Sequence, residues 1–222
     1  MKLLVLDVEG TIFQAKVRLP NANFRSTMWA GIAHALGKEA KREEIQTNTR
    51  WPKEYGGSYI KWMEDTIRIH QRHGLTQSIF QGIVDSAQYN PDVLRTLSQV
   101  ERSRYKMALV SGGFKELAAR VQRDAKIFHS FAACEYLFGK DGKIQSYNLL
   151  PCDFDAKLGF VDLILKDCKI KKDDWVFVGD GPNDVEIAKR APLSIGFNPD
   201  AKLRKVVKYV IRKFPKLLDI LP

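Results

Sequence analysis

The chain has 222 residues, 45% of them hydrophobic and 28% charged, which suits a globular protein with one full domain and a sizeable insertion. Its 36 Lys and Arg outnumber its 26 Asp and Glu, and the net charge of +10 either favours anionic partners, such as phosphorylated metabolites or nucleic acid, or is only a solvated surface. Acids within the first ten residues speak against a signal peptide, no apolar run nears the roughly 20 residues of a membrane span, and three scattered cysteines fit neither a disulfide framework nor a metal spacing, so a reduced, cytoplasmic protein is expected.

Leu3 to Leu6 is an unbroken apolar run, the pattern of a strand buried on both faces of a parallel sheet, and it stops at Asp7, Glu9 and Gly10. Ligands collect at the carboxyl ends of strands in an open α/β sheet, so Asp7 stands where it can serve chemistry or merely cap a turn. Ile12 to Leu19 reads as an extended flap carrying Lys16 and Arg18 and ending at Pro20. Phe24, Met28, Ile32 and Leu36 predict a helix over 24–37, stopped by Gly37, and a second helix is expected over 41–47. Trp51-Pro52 and Gly56-Gly57 break the pattern. Ser58 then caps a helix from Tyr59 to His73, and Thr76 caps another from Gln77 to Ala87 with Ile79, Phe80, Ile83 and Val84 as its apolar face. Beyond the flap, residues 15–90 read as entirely helical.

From Asn90-Pro91 the rhythm alternates between helix and strand. A helix to about Arg102 precedes a buried strand, Met107 to Val110, that ends in Ser111-Gly112-Gly113; Phe114 to Asp124 is helical. Ala132 to Phe138 and Ile144 to Asn148 flank a hairpin signal at 139–142. A helix from Ala156 to Asp167, a strand from Trp175 to Val178, a helix from Asn183 to Arg190, a strand from Leu193 to Gly196 and a basic tail follow. The expected fold is α/β: a doubly wound parallel sheet, built from 1–14 and 91–222, with a small helical cap over 15–90.

Trp175 to Val178 ends in Gly179-Asp180-Gly181-Pro182-Asn183-Asp184, so three buried strands stop in acidic or small-residue loops that can meet at one sheet edge. Asp7 and Asp180 would bring two carboxylates together, and their repulsion is relieved by a divalent cation. Mg²⁺ suits the place, because it takes hard oxygen ligands and typically binds through one or two carboxylates plus substrate phosphate.

DVEGT at 7–11, SGG at 111–113, Lys157 in FDAKLG and GDGPND at 179–184 resemble, in order, the four motifs of the haloacid dehalogenase superfamily of phosphatases. The layout is similar to the phosphoserine phosphatase branch, whose helical cap is inserted after the first motif. The resemblance implies a Rossmann-type core and a Mg²⁺-dependent phosphomonoester hydrolase acting on a small phosphorylated metabolite. Asp7 is then the nucleophile that forms an aspartyl-phosphate. Ser111 and the Gly112 N–H bind phosphoryl oxygens, and Lys157 offsets transition-state charge. Asp7, Asp180 and the backbone carbonyl of Glu9 hold the metal, Asp184 supports that shell or Lys157, and Asn183 contacts a metal-bound water or the phosphate.

One departure is Glu9, where the family usually has Asp as the acid that protonates the leaving alkoxide and then activates water. The same substitution occurs in the enolase-phosphatase and phosphoserine:homoserine phosphotransferase branches, so transfer to an alcohol acceptor is an alternative to hydrolysis. Thr66 to Leu75 resembles the cap helix of that phosphotransferase and places Arg68 where the family binds a substrate carboxylate. Glu64 and Arg68, four apart, can grip an amino acid phosphate or form a plain surface ion pair. Gln14, Ala15 and Lys16 stand where phosphoserine phosphatases carry a Glu, which counts against phosphoserine; Lys16 and Arg18 suit a more anionic substrate. His34, His70, His73 and His129 do not form a metal-ligand spacing, and Trp29, Trp51 and Trp62 are expected to pack the cap. A non-catalytic, basic binding protein on the same fold is the reading from another class; its nucleic-acid affinity would fall steeply with salt.

Overall fold

The computed structural model describes residues 1–15, 17–19, 22–24, 26–50 and 57–222, with backbone alone at 17–19, 22–24 and 50. Lys16, Trp51-Pro52 and Gly56 lie outside the described residues, as does the side chain of Arg18. In chain order the elements are β1 (Lys2–Leu6), β2 (Val17–Leu19), β3 (Ala22–Phe24), α1 (Met28–Ala35), α2 (Lys38–Arg50), α3 (Tyr59–Arg72), α4 (Gln77–Ser86) and α5 (Val93–Gln99). There follow β4 (Tyr105–Phe114), α6 (Lys115–Ala125), β5 (His129–Phe138), β6 (Ile144–Leu149), α7 (Lys157–Asp167), β7 (Trp175–Gly179), α8 (Val185–Arg190), β8 (Leu193–Phe197), β9 (Tyr209–Ile211) and α9 (Leu217–Ile220). Seven strands make one mostly parallel sheet in the order β6-β5-β4-β1-β7-β8-β9, and β2 pairs with β3.

The chain divides into two compact units. The first comprises Met1–Gln14, Gln88–Ala132 and Cys152–Pro222. Its centre is β1, where Leu3 to Leu6 are fully buried; at about 1.5–3 kcal/mol for each large aliphatic side chain removed from water, this strand anchors the core. β1 runs parallel to β4 on one side and to β7 on the other, with Leu6 opposite both Leu109 and Val178. That register brings the ends of three apolar runs level, so the residues immediately beyond them share one edge. Extended pairing continues further along β4 than the apolar run predicts, through Ser111, Gly112 and Gly113 to Phe114.

The second unit comprises Ala15–Ala87 and Ala133–Pro151. Its helices start as the sequence indicates: Ser58 Oγ accepts from Lys61 N and Thr76 Oγ1 accepts from Ile79 N, each satisfying an amide left over in the first turn. Four expectations need correction. Phe24 lies in β3 rather than in a helix, so the helix begins only at Met28, and α2 runs well beyond 41–47 at both ends. Ile79, expected on the apolar face of α4, is exposed. The unit is also not purely helical. The antiparallel pair of β5 with β6, which follows the core elements in sequence, groups with residues 15–87. Aromatic packing accounts for this: Phe80 of α4 lies 5.2 Å from Tyr136 and 5.6 Å from Phe138 of β5, ring centre to ring centre.

Trp62 is buried against Trp29, ring centres 5.4 Å apart, and against Tyr59 at 5.3 Å. His70 is buried at the same face, its Nδ1 2.7 Å from the hydroxyl of Tyr136. These side chains build the interior of the second unit.

Candidate active site

Asp7 follows β1 directly, and its N–H donates to Val178 O (3.0 Å), locking the first loop to the end of β7. The loop then turns through Gly10 at φ +89°, a left-handed conformation open to glycine. Asn90 holds the turn from outside: its Nδ2 lies 2.9 Å from Gly10 O, 2.9 Å from Thr11 O and 3.2 Å from Phe13 O. Thr11 Oγ1 donates to Asp180 Oδ1 (3.0 Å), which joins the first loop to the loop after β7. Asp184 closes that second loop by accepting the N–H groups of Asp180 (3.0 Å) and Gly181 (3.1 Å) through Oδ2.

Lys157 stands at the first position of α7, after a tight turn in which Phe154 takes φ +50°, a strained value for an aromatic residue. Its ammonium is fully buried and donates to Asp7 Oδ1 (2.8 Å) and Asp184 Oδ1 (2.7 Å), with Asp153 Oδ1 at 3.5 Å. Burial by itself would strip the proton from this lysine, but Asp184, Asp7 and Asp153 more than offset it and hold the ammonium well above its ordinary value. Asp7 shows the reverse balance. Burial drives its carboxyl well above the usual carboxylate range, Asp184 and Asp180 push the same way, and Lys157 opposes them.

Carboxylate oxygens of Asp7, Asp180 and Asp184 lie within 4.8 Å of one another. With Asp153 these make a cluster of four carboxylates, three of which share the one ammonium of Lys157, a surplus of negative charge that a divalent cation would neutralise. The donor set is all oxygen, and therefore hard, which fits Mg²⁺.

The glycines of the motifs have a specific spatial reason. A Cβ built on Gly10 would meet Asp180 Oδ2 at 2.1 Å, one on Gly112 would meet Asp153 Oδ2 at 2.2 Å, and one on Gly113 would meet Glu9 Oε1 at 2.2 Å. Each small residue thus makes room for a carboxylate of the site. Glu9 is thereby turned toward the loop of Ser111, whose buried hydroxyl oxygen accepts from Gly113 N (3.1 Å).

The residues expected from the sequence, Asp7, Glu9, Ser111, Gly112, Lys157, Asp180, Asn183 and Asp184, all belong to the first unit. Asp153 was not among them. It is buried, accepts from Asn183 Nδ2 (2.7 Å), and burial raises its carboxyl above the usual range. The signal available was an acid four residues before Lys157 in PCDFDAK. Asn90 and Thr11 were likewise passed over, since a single Asn or Thr beside a motif carries no pattern. Burial pushes the neighbouring Cys152 thiol up to about 12, which keeps it protonated and outside nucleophilic chemistry.

Glu64 and Arg68 belong to the second unit. Arg68 is exposed and pairs with Asp65 (2.7 Å), one turn away. It lines a groove of about 570 Å³ together with Glu43, Gln46, Thr47, Asp65, Ile69 and Arg72.

Residues 1–192 match the family described as haloacid dehalogenase-like hydrolase. The phosphoserine phosphatase of Idiomarina loihiensis is 29% identical over 222 residues, spanning 99% of this chain and 91% of the relative. That of Archaeoglobus fulgidus is 24% identical over 221 residues; the match covers 96% of this chain but only 57% of the relative's length. Among solved structures, a phospho-aspartyl intermediate analogue of phosphoserine phosphatase superposes with a TM-score of 0.75 over 100% of this chain and 99% of that one, at 21% identity. A likeness at that identity is one of fold.

Proposed function

Since the chain belongs to the haloacid dehalogenase-like hydrolases, we propose that it is a phosphomonoester hydrolase that works through an aspartyl-phosphate on Asp7 and acts on a small phosphorylated metabolite. The observation that carries the reading is the buried cluster in which Asp7, Asp153 and Asp184 surround the Lys157 ammonium while Asp7 and Asp184 also meet Asp180.

Asp7 Oδ1 is held by Lys157, and Oδ2 has no hydrogen-bond partner among the described residues, which leaves it to attack phosphorus. As the Asp7 O–P bond forms, the bond from phosphorus to the ester oxygen breaks and Glu9 delivers a proton to the departing alkoxide. Glu9, now a carboxylate, takes a proton from water as that water attacks phosphorus; the Asp7 O–P bond breaks and phosphate leaves. Ser111 and the Gly112 N–H orient phosphoryl oxygens, and Lys157 keeps positive charge beside the reacting group throughout. Asp7, Asp180 and the Glu9 carbonyl would hold Mg²⁺, which when bound supplies charge neutralisation and polarises the phosphoryl oxygens. Asp184 and Asp153 keep Lys157 in place.

The test is phosphate release from a panel of amino-acid, sugar, nucleotide and lipid-head-group phosphates, phosphoserine included, with Mg²⁺ and then with chelator. Metal-dependent release from one class is expected. Lack of release from every class, with Mg²⁺ present, overturns the assignment. Adding alcohols such as homoserine to the same assay separates transfer from hydrolysis, the alternative that Glu9 raises.

A further inference from the structure

His129, at the start of β5, and Asp167-Cys168, at the end of α7, are 38 and 39 residues apart, and no spacing in the sequence connects them. In the fold they converge within the first unit. His129 Nε2 lies 3.2 Å from Asp167 Oδ2 and 3.5 Å from Cys168 Sγ, and all three donor atoms fall within 4.8 Å of one another. Both contacts use the same ring nitrogen. A neutral Nε2 carries either a proton or a lone pair, and one proton cannot lie on the line to the carboxylate and the line to sulfur together. Only one of the two contacts can be a linear hydrogen bond through that nitrogen; the other stands at van der Waals distance or as a weaker, shared bond.

A tetrahedral ion would use all three donor atoms at once. At tetrahedral angles, Zn–N of about 2.0–2.1 Å, Zn–O of about 2.0–2.2 Å and Zn–S of about 2.3 Å give an N···O edge of about 3.3–3.5 Å and an N···S edge of about 3.5–3.6 Å. The observed separations, 3.2 Å and 3.5 Å, lie within about 0.1 Å of the short end of these ranges. The ligand types agree as well: imidazole, carboxylate and thiolate suit zinc, whereas the all-oxygen cluster at Asp7, Asp180 and Asp184 suits Mg²⁺. The place is also reachable, since the His129 side chain is 29% exposed and that of Asp167 69% exposed.

We propose that His129, Asp167 and Cys168 form a second metal site, separate from the acidic cluster, that binds one Zn²⁺ with water in the fourth position. On binding, Zn–N, Zn–O and Zn–S bonds form and the Cys168 thiol proton passes to solvent. The ion ties the last turn of α7, whose first residue is Lys157, to the first residue of β5.

Cobalt(II) titration of the full chain tests this, because a thiolate ligand gives Co²⁺ an intense near-ultraviolet charge-transfer band that oxygen ligands do not. One equivalent of Co²⁺ per chain is expected to produce the band, and Zn²⁺, but not Mg²⁺ in excess, to abolish it. Cys168→Ser is expected to lose the band and His129→Ala to weaken cobalt affinity at least about tenfold, with circular dichroism unchanged in both. Absence of the band from the unmodified protein overturns the proposal whether or not the variants fold; so does a band that persists in Cys168→Ser.

Discussion

The carboxylate of Asp153 occupies the space that a side chain on residue 112 would need: a Cβ on Gly112 would stand 2.2 Å from Asp153 Oδ2. Asp153 cannot easily retreat, because Asn183 donates to it and Lys157 lies 3.5 Å away. Gly112→Ala is therefore expected to lower stability by about 1–3 kcal/mol and to cut activity. Adding Asp153→Ala should return part of the stability, with a coupling of about 0.5–3 kcal/mol in a double-mutant cycle by denaturant unfolding. Strict additivity would mean that the two residues do not share this space.

Asp7→Asn is expected to lower phosphate release on the order of 10³-fold or more while leaving the fold intact. Because burial holds the Asp7 carboxyl well above its ordinary range, its ionised form is unfavourable in the folded state without a divalent ion. The variant's melting temperature in chelator should thus equal or exceed that of the unmodified chain. Undiminished turnover would remove the covalent mechanism.

Lys157→Met should behave oppositely. Removing the ammonium leaves Asp7, Asp153 and Asp184 facing one another in a buried site, and a loss of about 3–5 kcal/mol is expected, along with activity. Divalent ion should recover more stability in this variant than in the unmodified chain, and calorimetry with and without Mg²⁺ reads the difference.

His70 predicts a pH dependence for the second unit. Burial lowers its value in the folded state to about 3, from an ordinary 6.5. The unfolded chain therefore binds more protons between those values, so stability is complete above about pH 6.5 and declines as pH falls toward 3, by up to ~4–5 kcal/mol from this residue. His70→Gln should flatten the melting temperature across that window, although the contact with Tyr136 weakens at every pH. An unchanged slope would assign the acid sensitivity to other groups.

Arg68→Ala is expected to raise KM for the natural substrate several-fold while leaving KM for a generic aryl phosphate nearly unchanged. Equal effects on both substrates would dissociate Arg68 from recognition and leave it as the exposed partner of Asp65.

The apolar runs at Leu3 to Leu6 and Trp175 to Val178, each closed by an acid, were enough to place Asp7 and Asp180 at strand ends, and the β1 register with β4 and β7 brings Ser111 to the same edge. Such features are legible because burial on both faces writes a continuous local signal, and because a motif repeats the same residue types at short spacing. What the glycines accommodate was not legible: Gly112 and Gly113 read as places for a phosphate, and the space beside them holds Asp153 and Glu9. The role of Asn90, the grouping of residues 133–151 with 15–87, and the meeting of His129 with Asp167 and Cys168 were equally hidden. Each depends on side chains that are distant along the chain and converge only once the backbone has folded. Local propensity carries no information about such distances, so only the tertiary structure could decide them.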